Sequence, residues 1–463
     1  LAFDPLNELL GTARALRALV LGAPQQTVRL AVTGLSRAGK TVFATALSAN
    51  LLALPRDPRR LAKLPAAAEG RIAAVREATP ADGGAQNFPL ADALAALAGA
   101  ASWPRPTTRL SGLALEIEIE SPQSAWLERE LGATRRAVRL EIIDYPGEWL
   151  LDLPLLDRSF EEWSQRELLR AEEPGRAALA RPWRAALGEI DPAAPAREAA
   201  TEPVVAAFRA YLMACREAGL VALTPGRFLN PDQWDGMAFM QFCPLPKGLA
   251  APMPGSIAAV MRARHAEYLA RTRSEFLEPY LSRFDAQIVL VDLFGALAAG
   301  AASFSEVEEA LAGITRAMRP DAGWLSLLGL GRAAPVVYAA TKADYVPASQ
   351  RGQLAALLKH LVGEEAKVTT VAAIRCTEDV VVTDRGRPQE AVEGLVEAPA
   401  GASPTREAFW FAGGVPVERP TDSWFDHRYA VPVFSPPAFD PDRGLRHANL
   451  DGVLALTLPE LFA

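Results

Sequence analysis

Residues Thr27 to Thr33, TVRLAVT, alternate apolar and polar positions and are rich in β-branched side chains, which predicts a strand. The run VFATALSANLL, which begins at Val42, places apolar residues at helical spacing. A glycine-bearing loop separates the two, so the order is strand, loop, helix. Two more strand patterns, LSGLALEIEIE at 110–120 and AVRLEIID at 137–144, are joined by a polar connection and are expected to pair antiparallel. Strand signals return in AQIVLVDLF at 286–294, APVVYAA at 334–340 and KVTTVAAIRCTED at 367–379. A helix starting with Ser305 and Glu308 in capping-box spacing follows the first, and one over Gln350 to Val362 follows the second. Alternating strands and helices predict a mainly parallel sheet covered on both faces.

The stretch from about 150 to 284 turns helical. Ser159 and Glu162 resemble a capping box, Thr201-Glu202-Pro203 opens a second helix, and SIAAVMRARHAEYLARTRSEFLEPYL is long and amphipathic. Within it LNPDQWDGMAFMQFCPLP, at 229–246, is rich in aromatic residues and Met, suited either to core packing or to a partner-facing patch. Residues 54–106, rich in Pro, Ala and Gly, read as loops and short helices such as LADALAALAGA. At the start of the chain Leu6, Leu9, Leu10, Ala13, Leu16 and Val20 recur at helical spacing after Asp4 and Pro5. That stripe suits packing on the protein, or peripheral membrane contact with Arg14 and Arg17 as a thin basic face. After Val380 a hairpin, VVVTDRGRPQEAVEGLV, is expected. The expected organisation is thus an amphipathic helix at 1–26, a first core half at 27–150, a helical insertion at 151–284, a second core half at 285–380 and an α+β extension at 381–463.

Composition narrows the function classes. Half of the 463 residues are hydrophobic, and 48 basic against 55 acidic side chains give a net charge of −7, which disfavours nonspecific nucleic-acid binding. No apolar run approaches the ~18–20 residues that cross a bilayer, and the start lacks a basic leader, so a cytoplasmic protein is expected. Cys215, Cys243 and Cys376 lie too far apart for a disulfide framework or the usual zinc spacing, and the four histidines, His265, His360, His427 and His447, share no metal spacing. Lysine is scarce: Lys40, Lys63, Lys247, Lys342, Lys359 and Lys367 are all there are. A chance G-x4-G-K-[ST] match is therefore expected in only about three such chains per thousand.

Such a match occurs at Gly34-Leu35-Ser36-Arg37-Ala38-Gly39-Lys40-Thr41, between strand and helix. In such a loop backbone N–H groups turn inward around phosphates and the next helix presents its positive end. Lys40 should reach the β- and γ-phosphates, and the Thr41 hydroxyl should ligate Mg2+. Asp144 ends an apolar strand, where its carboxylate can approach the metal through water, and Gly147 offers an unobstructed N–H to the γ-phosphate. Thr341-Lys342-Ala343-Asp344 follows another apolar strand. The Asp344 carboxylate can accept two hydrogen bonds from guanine, whereas adenine offers no matching donor pair, and the Lys342 stem would cover the base.

GLSRAGKT, DYPGEW and TKAD, in this order, resemble a GTPase-type P-loop protein, and with the long helical insertion the chain is similar to the bacterial YcjX-like family. The resemblance implies an α/β P-loop NTPase fold with a Ras-like core binding GTP and GDP with Mg2+. It also implies a link with stress response and leaves the partner unidentified; the helical insertion, emerging just after the second switch, is positioned to pass a change to a protein effector. Carried over, Gly34, Gly39, Lys40 and Thr41 hold phosphates and metal, Asp144 and Gly147 form the second switch, and Lys342 with Asp344 reads guanine; Ser36, Arg37, Ala38, Val42 and Thr341 are further nucleotide-binding candidates. Cys376 and Thr377 match the base-backing loop in position only, because the usual Ser-Ala-Lys run is absent. A first-switch threonine should close on the metal before the 110–120 strand. Thr107 and Thr108 both lie there, and nearness to the strand favours Thr108.

Two residues are candidates for a part in hydrolysis. Glu148 follows the switch glycine, where many GTPases place a water-orienting glutamine; its charge also opposes the γ-phosphate, so it either positions water or turns to solvent or an arginine. Arg37 either neutralises charge between the β- and γ-phosphates or points away, to solvent or to Glu148. The leading expectation is a slow GTP hydrolase acting as a switch. A nucleotide-stabilised interaction module with negligible turnover and an ATP-using P-loop protein are the alternatives.

Overall fold

The structure, a computed structural model, describes residues 26–80, 85–99, 102–105, 109–120, 135–246, 252–319, 334–397, 405–411, 414–426, 430–440 and 443–462. The alternation in TVRLAVT becomes strand β1, Gln26–Gly34, with Leu30 and Val32 on one face of the sheet and Ala31 on the other. Helix α1, Lys40–Ala53, follows the glycine loop. Next come β2 (Ile72–Ala78), β3 (Gln86–Asn87), α2 (Leu90–Gly99), β4 (Ser111–Glu120) and β5 (Arg135–Asp144). β4 and β5 pair antiparallel, as their alternation predicts. β2, an edge strand whose pattern is blurred by alanines within IAAVREA, was not anticipated and pairs with β4.

Between β5 and β6 lie a 3-10 turn at Gly147–Leu155 and helices α3 (Phe160–Arg170), α4 (Ala177–Gly188), α5 (Glu198–Glu217) and α6 (Ile257–Thr272). Ser159 and Glu162 form the expected capping box. α5 begins three residues before Thr201, leaving Pro203 inside the helix; the Thr201 hydroxyl donates back to the carbonyls of Arg197 and Glu198 in that first turn. The long amphipathic run continues past α6 through a π-helical turn, Arg273–Leu277. The aromatic stretch at 229–246 serves as core: Trp234, Phe239, Met240, Phe242 and Cys243 are buried.

The chain returns to the sheet through β6 (Ala286–Val291), α7 (Leu293–Ala299), α8 (Ala301–Ala317), β7 (Val336–Ala340), α9 (Arg351–Val362) and β8 (Lys367–Thr370). Ser305 and Glu308 do not cap α8. Gly300, φ 105°, starts that helix, and both side chains instead meet Arg419. The run expected as one strand at 367–379 divides into β8 and β9 (Thr377–Asp384). β9, β10 (Arg387–Val396) and β11 (Thr405–Phe409) make a separate antiparallel sheet. The expected hairpin is its centre, turned by Arg385 and Gly386 at φ 46° and 77°.

The main sheet runs β2-β4-β5-β1-β6-β7-β8, with β5, β1, β6, β7 and β8 mutually parallel. One face packs on α1, α2 and α10 (Leu450–Thr457), and the other on α7, α8, α9 and the inserted helices, whose core is continuous with it. The five parallel strands end on one side, where crevices at strand ends admit ligands. No helix among the described residues is long and apolar enough to cross a membrane. The helix expected at 1–26 lies outside the described residues, apart from Gln26 in β1.

Candidate functional site

The glycine loop is shaped by close backbone approaches. A Cβ at Gly34 would lie 2.3 Å from the Leu290 carbonyl oxygen, on the adjacent strand β6, so only glycine fits there. Arg37 and Gly39 take left-handed conformations, φ 63° and 82°, which turn the loop into α1. Lys40 and Thr41 are the first two residues of that helix, and the Lys40 ammonium donates to the Gly34 carbonyl at 3.0 Å. Gly147 meets the same carbonyl: a Cβ there would stand 1.6 Å from the Gly34 oxygen. The second predicted switch is thereby in direct contact with the glycine loop.

A cavity of about 420 Å³ lies at the ends of the parallel strands, within the size range of small-ligand sites. Arg37, Ala38, Gly39 and Val42 line it from the glycine loop, Thr341, Lys342 and Asp344 from the end of β7, and Cys376 from the segment after β8. Three sequence-distant motifs thus share one wall. Lys342 adopts φ 55°, and its ammonium is 2.5 Å from a carboxylate oxygen of Asp292, which also caps α7 by accepting from the Gly295 N–H at 2.9 Å. This fixes the lysine stem along the cavity.

Asp344 is 2% exposed. Burial raises its carboxyl to about 6, opposed by the Cys376 N–H, which donates to it at 2.7 Å. Thr377 donates its hydroxyl to the Asp344 carbonyl at 2.5 Å. The loop without a Ser-Ala-Lys run therefore still braces the carboxylate, through a backbone amide that places no demand on side-chain identity. Burial, and then the Asp344 carboxylate, push the Cys376 thiol well above its ordinary range.

Asp144, at the end of β5, pairs in register with Val32 of β1 and Ser111 of β4 and is buried. Among the described residues no three or more His, Cys, Asp or Glu side chains converge as a metal cage. A hydroxyl at the start of α1 and a carboxylate at a strand end are hard oxygen donors, a set suited to Mg2+ that keeps phosphate and water as its other ligands. Thr107 and Thr108 lie outside the described residues.

Ser36, Gly147 and Glu148 line a second, narrower cleft with residues of the insertion, among them Arg216. The insertion presses on the predicted switch: a Cβ at Gly226 would lie 1.8 Å from the Glu148 carbonyl oxygen. Asp152, buried, accepts from the Gly226 and Arg227 amides at 2.7 and 3.3 Å and from the Tyr268 hydroxyl at 2.5 Å; burial raises it to about 6. The Arg227 guanidinium sits between Trp149 and Trp234, 3.7 and 3.9 Å from their rings. Ahead of β4, Arg109 pairs with Asp232 of the insertion at 3.3 Å.

Sequence reading missed several lining residues. Trp103 and Val431–Val433 also line the large cavity, tied together by Phe434, whose carbonyl accepts from the Trp103 indole at 3.1 Å and whose amide donates to the Tyr345 hydroxyl at 3.2 Å. They carry no periodic signal. Asp292, directly after an apolar strand, was readable by the same logic as Asp144. His265 is core, stacked on Trp163 at 5.1 Å, and burial lowers it to about 4.

A family model described as "YcjX-like family, DUF463" matches residues 28–461. The chain is 33% identical over 462 residues to the Ras-like GTPase YcjX of Escherichia coli (strain K12), covering 95% of this chain and 97% of that protein. It is 31% identical over 439 residues to the Ras-like GTPase YcjX of Shewanella oneidensis, covering 89% and 88%.

Proposed function

This chain belongs to the YcjX-like family, and from that premise we propose that it is a Mg2+-dependent GTP-binding protein that hydrolyses GTP slowly to GDP and phosphate and works as a nucleotide switch. The observation that carries this reading is the single cavity walled by the glycine loop, Thr341-Lys342-Ala343-Asp344 and Cys376. In it guanine lies between the Lys342 stem and Val431–Val433, with its ring N–H and amino group on the Asp344 carboxylate. The phosphates run along the loop to Lys40, with Arg37 beside them on the cavity side. Thr41 and Asp144 hold Mg2+, directly or through water, with Thr107 or Thr108 closing on it. The metal offsets phosphate charge when bound.

Switching is supported by the contacts of Gly147 with Gly34 and of Glu148 with Gly226. A γ-phosphate that draws Gly147 toward Lys40 moves the turn on which the insertion rests, so the insertion is the surface that reports nucleotide state to a protein effector. The family setting implied for that effector is stress response. Single-turnover phosphate release from bound GTP, with Mg2+ and with chelator, tests the reading. Slow release that chelation abolishes is expected. GTP binding without release would favour an interaction module instead.

A further inference from the structure

The narrow cleft beside Gly147 is walled mostly by Leu35, Leu151 and leucines of the insertion, with room for about one water molecule, roughly 10 Å³. Its polar groups are few: Ser36 of the glycine loop, Glu148 of the predicted switch and the Arg216 guanidinium, carried near the end of α5. Arg37, the other arginine near the loop, lines the large cavity and is not among the cleft's lining residues.

Several arginines of the insertion pair with carboxylates, as in Arg176 with Glu306, Arg170 with Glu309 and Arg271 with Glu275. Arg216 has no carboxylate partner among the described residues; Nη1 donates to the Leu229 carbonyl at 3.0 Å, which orients the fork. The guanidinium is half-buried beside these apolar walls, where its charge is screened less than in bulk water. Glu148, whose charge at this position would oppose a γ-phosphate, lines the same cleft without pairing with the guanidinium.

We propose that Arg216 is a catalytic arginine, supplied in cis by the helical insertion, that neutralises the charge developing on the γ-phosphoryl group during GTP hydrolysis. The proposal rests on the hydrolysis reading above. In that step the water oxygen bonds to the γ-phosphorus as the bond to the β–γ bridging oxygen breaks. GDP leaves with that electron pair, and the water's protons pass to phosphate and solvent. The guanidinium takes no proton; it stabilises the equatorial oxygens of the loose transition state. Because Arg216 and the Gly226 turn belong to the same insertion, an effector that shifts the insertion changes the rate as well as reading the state.

The test compares the parent, Arg216→Ala and Arg216→Lys in GDP affinity, single-turnover phosphate release and capture of Mg2+–GDP with aluminium fluoride, which mimics the planar phosphoryl group. Expected are GDP affinities within threefold of the parent, release slowed by about 100-fold or more in both variants, and no aluminium fluoride complex with Arg216→Ala. Release within threefold of the parent would overturn the proposal. So would matching losses of GDP affinity and thermal stability, which would make Arg216 only a tie to Leu229. A parent that binds GTP and releases no phosphate would instead contradict the hydrolysis reading, taking this role with it.

Discussion

Replacing Asp344 by Asn separates guanine recognition from every other property of the cavity. The carboxylate is buried and accepts from the Cys376 amide at 2.7 Å, a bond that the Asn carbonyl oxygen can keep. What changes is the other half of the group, where an N–H2 donor now faces guanine's own N–H donors. Two hydrogen bonds to a charged acceptor are worth about 1.5–3 kcal/mol each, so GDP affinity should fall by about 3–4 kcal/mol in all, on the order of 10²–10³-fold. Xanthine carries a carbonyl where guanine carries its amine, so XDP should gain affinity on the variant. The carboxyl titrates at about 6 in the protein because of burial, and guanine needs the ionised form. GDP affinity of the parent should therefore weaken as pH falls through 6, while the Asn variant shows no such step. Fluorescent GDP and XDP titrations between pH 5 and 8 read all three effects. GDP binding within threefold of the parent, with XDP unmoved, would refute this account of Asp344.

Three further outcomes follow from named contacts. Arg176, 1% exposed, binds both carboxylate oxygens of Glu306 at 2.6 and 2.7 Å, linking the insertion to α8. Arg176→Ala should cost about 3–5 kcal/mol in urea unfolding, and Arg176→Met with Glu306→Met should recover much of it; an equal loss in both would contradict the buried-charge argument. Gly147→Ala puts a methyl within 1.6 Å of the Gly34 oxygen, so the two loops must part. GTP affinity should drop while GDP affinity changes less, and equal losses would argue against a γ-phosphate-sensing contact. Burial holds the Asp152 carboxyl at about 6 against an ordinary 3.8, so the folded chain binds more protons between these values. The stability it contributes is full below about pH 4 and lost as pH rises through 6. Asp152→Asn should remove about 2 kcal/mol of the stability difference between pH 4.5 and 7.5, and identical pH slopes in the two proteins would count against it.

Legibility in the sequence followed local physics. β1, β4, β5, β6 and β7 announced themselves through alternation or apolar runs, and the glycine loop, Asp144 and Asp344 through their position at strand ends. The hairpin was readable because Arg385-Gly386 supplies the turn chemistry. What stayed hidden depends on tertiary partners. β2 is an edge strand of alanines that needs β4 to become a strand. Ser305 has the right spacing for a cap, yet Gly300 breaks the chain earlier and takes the role. The cavity wall at Trp103 and Val431–Val433 joins segments more than 300 residues apart through one hydrogen bond, from the Trp103 indole to the Phe434 carbonyl, which leaves no periodic trace. Arg216 looked like one more arginine in a chain that has 42.

We propose that one cavity, built by the glycine loop, Asp344 and the Cys376 segment, selects guanine nucleotides. Competition between labelled GDP and unlabelled GTP, GDP and ATP on the purified protein, with and without Mg2+, tests it most directly. Displacement by GTP and GDP is expected to be at least about 100-fold more effective than by ATP, with affinity lowered when Mg2+ is chelated. Equal or better displacement by ATP would contradict it.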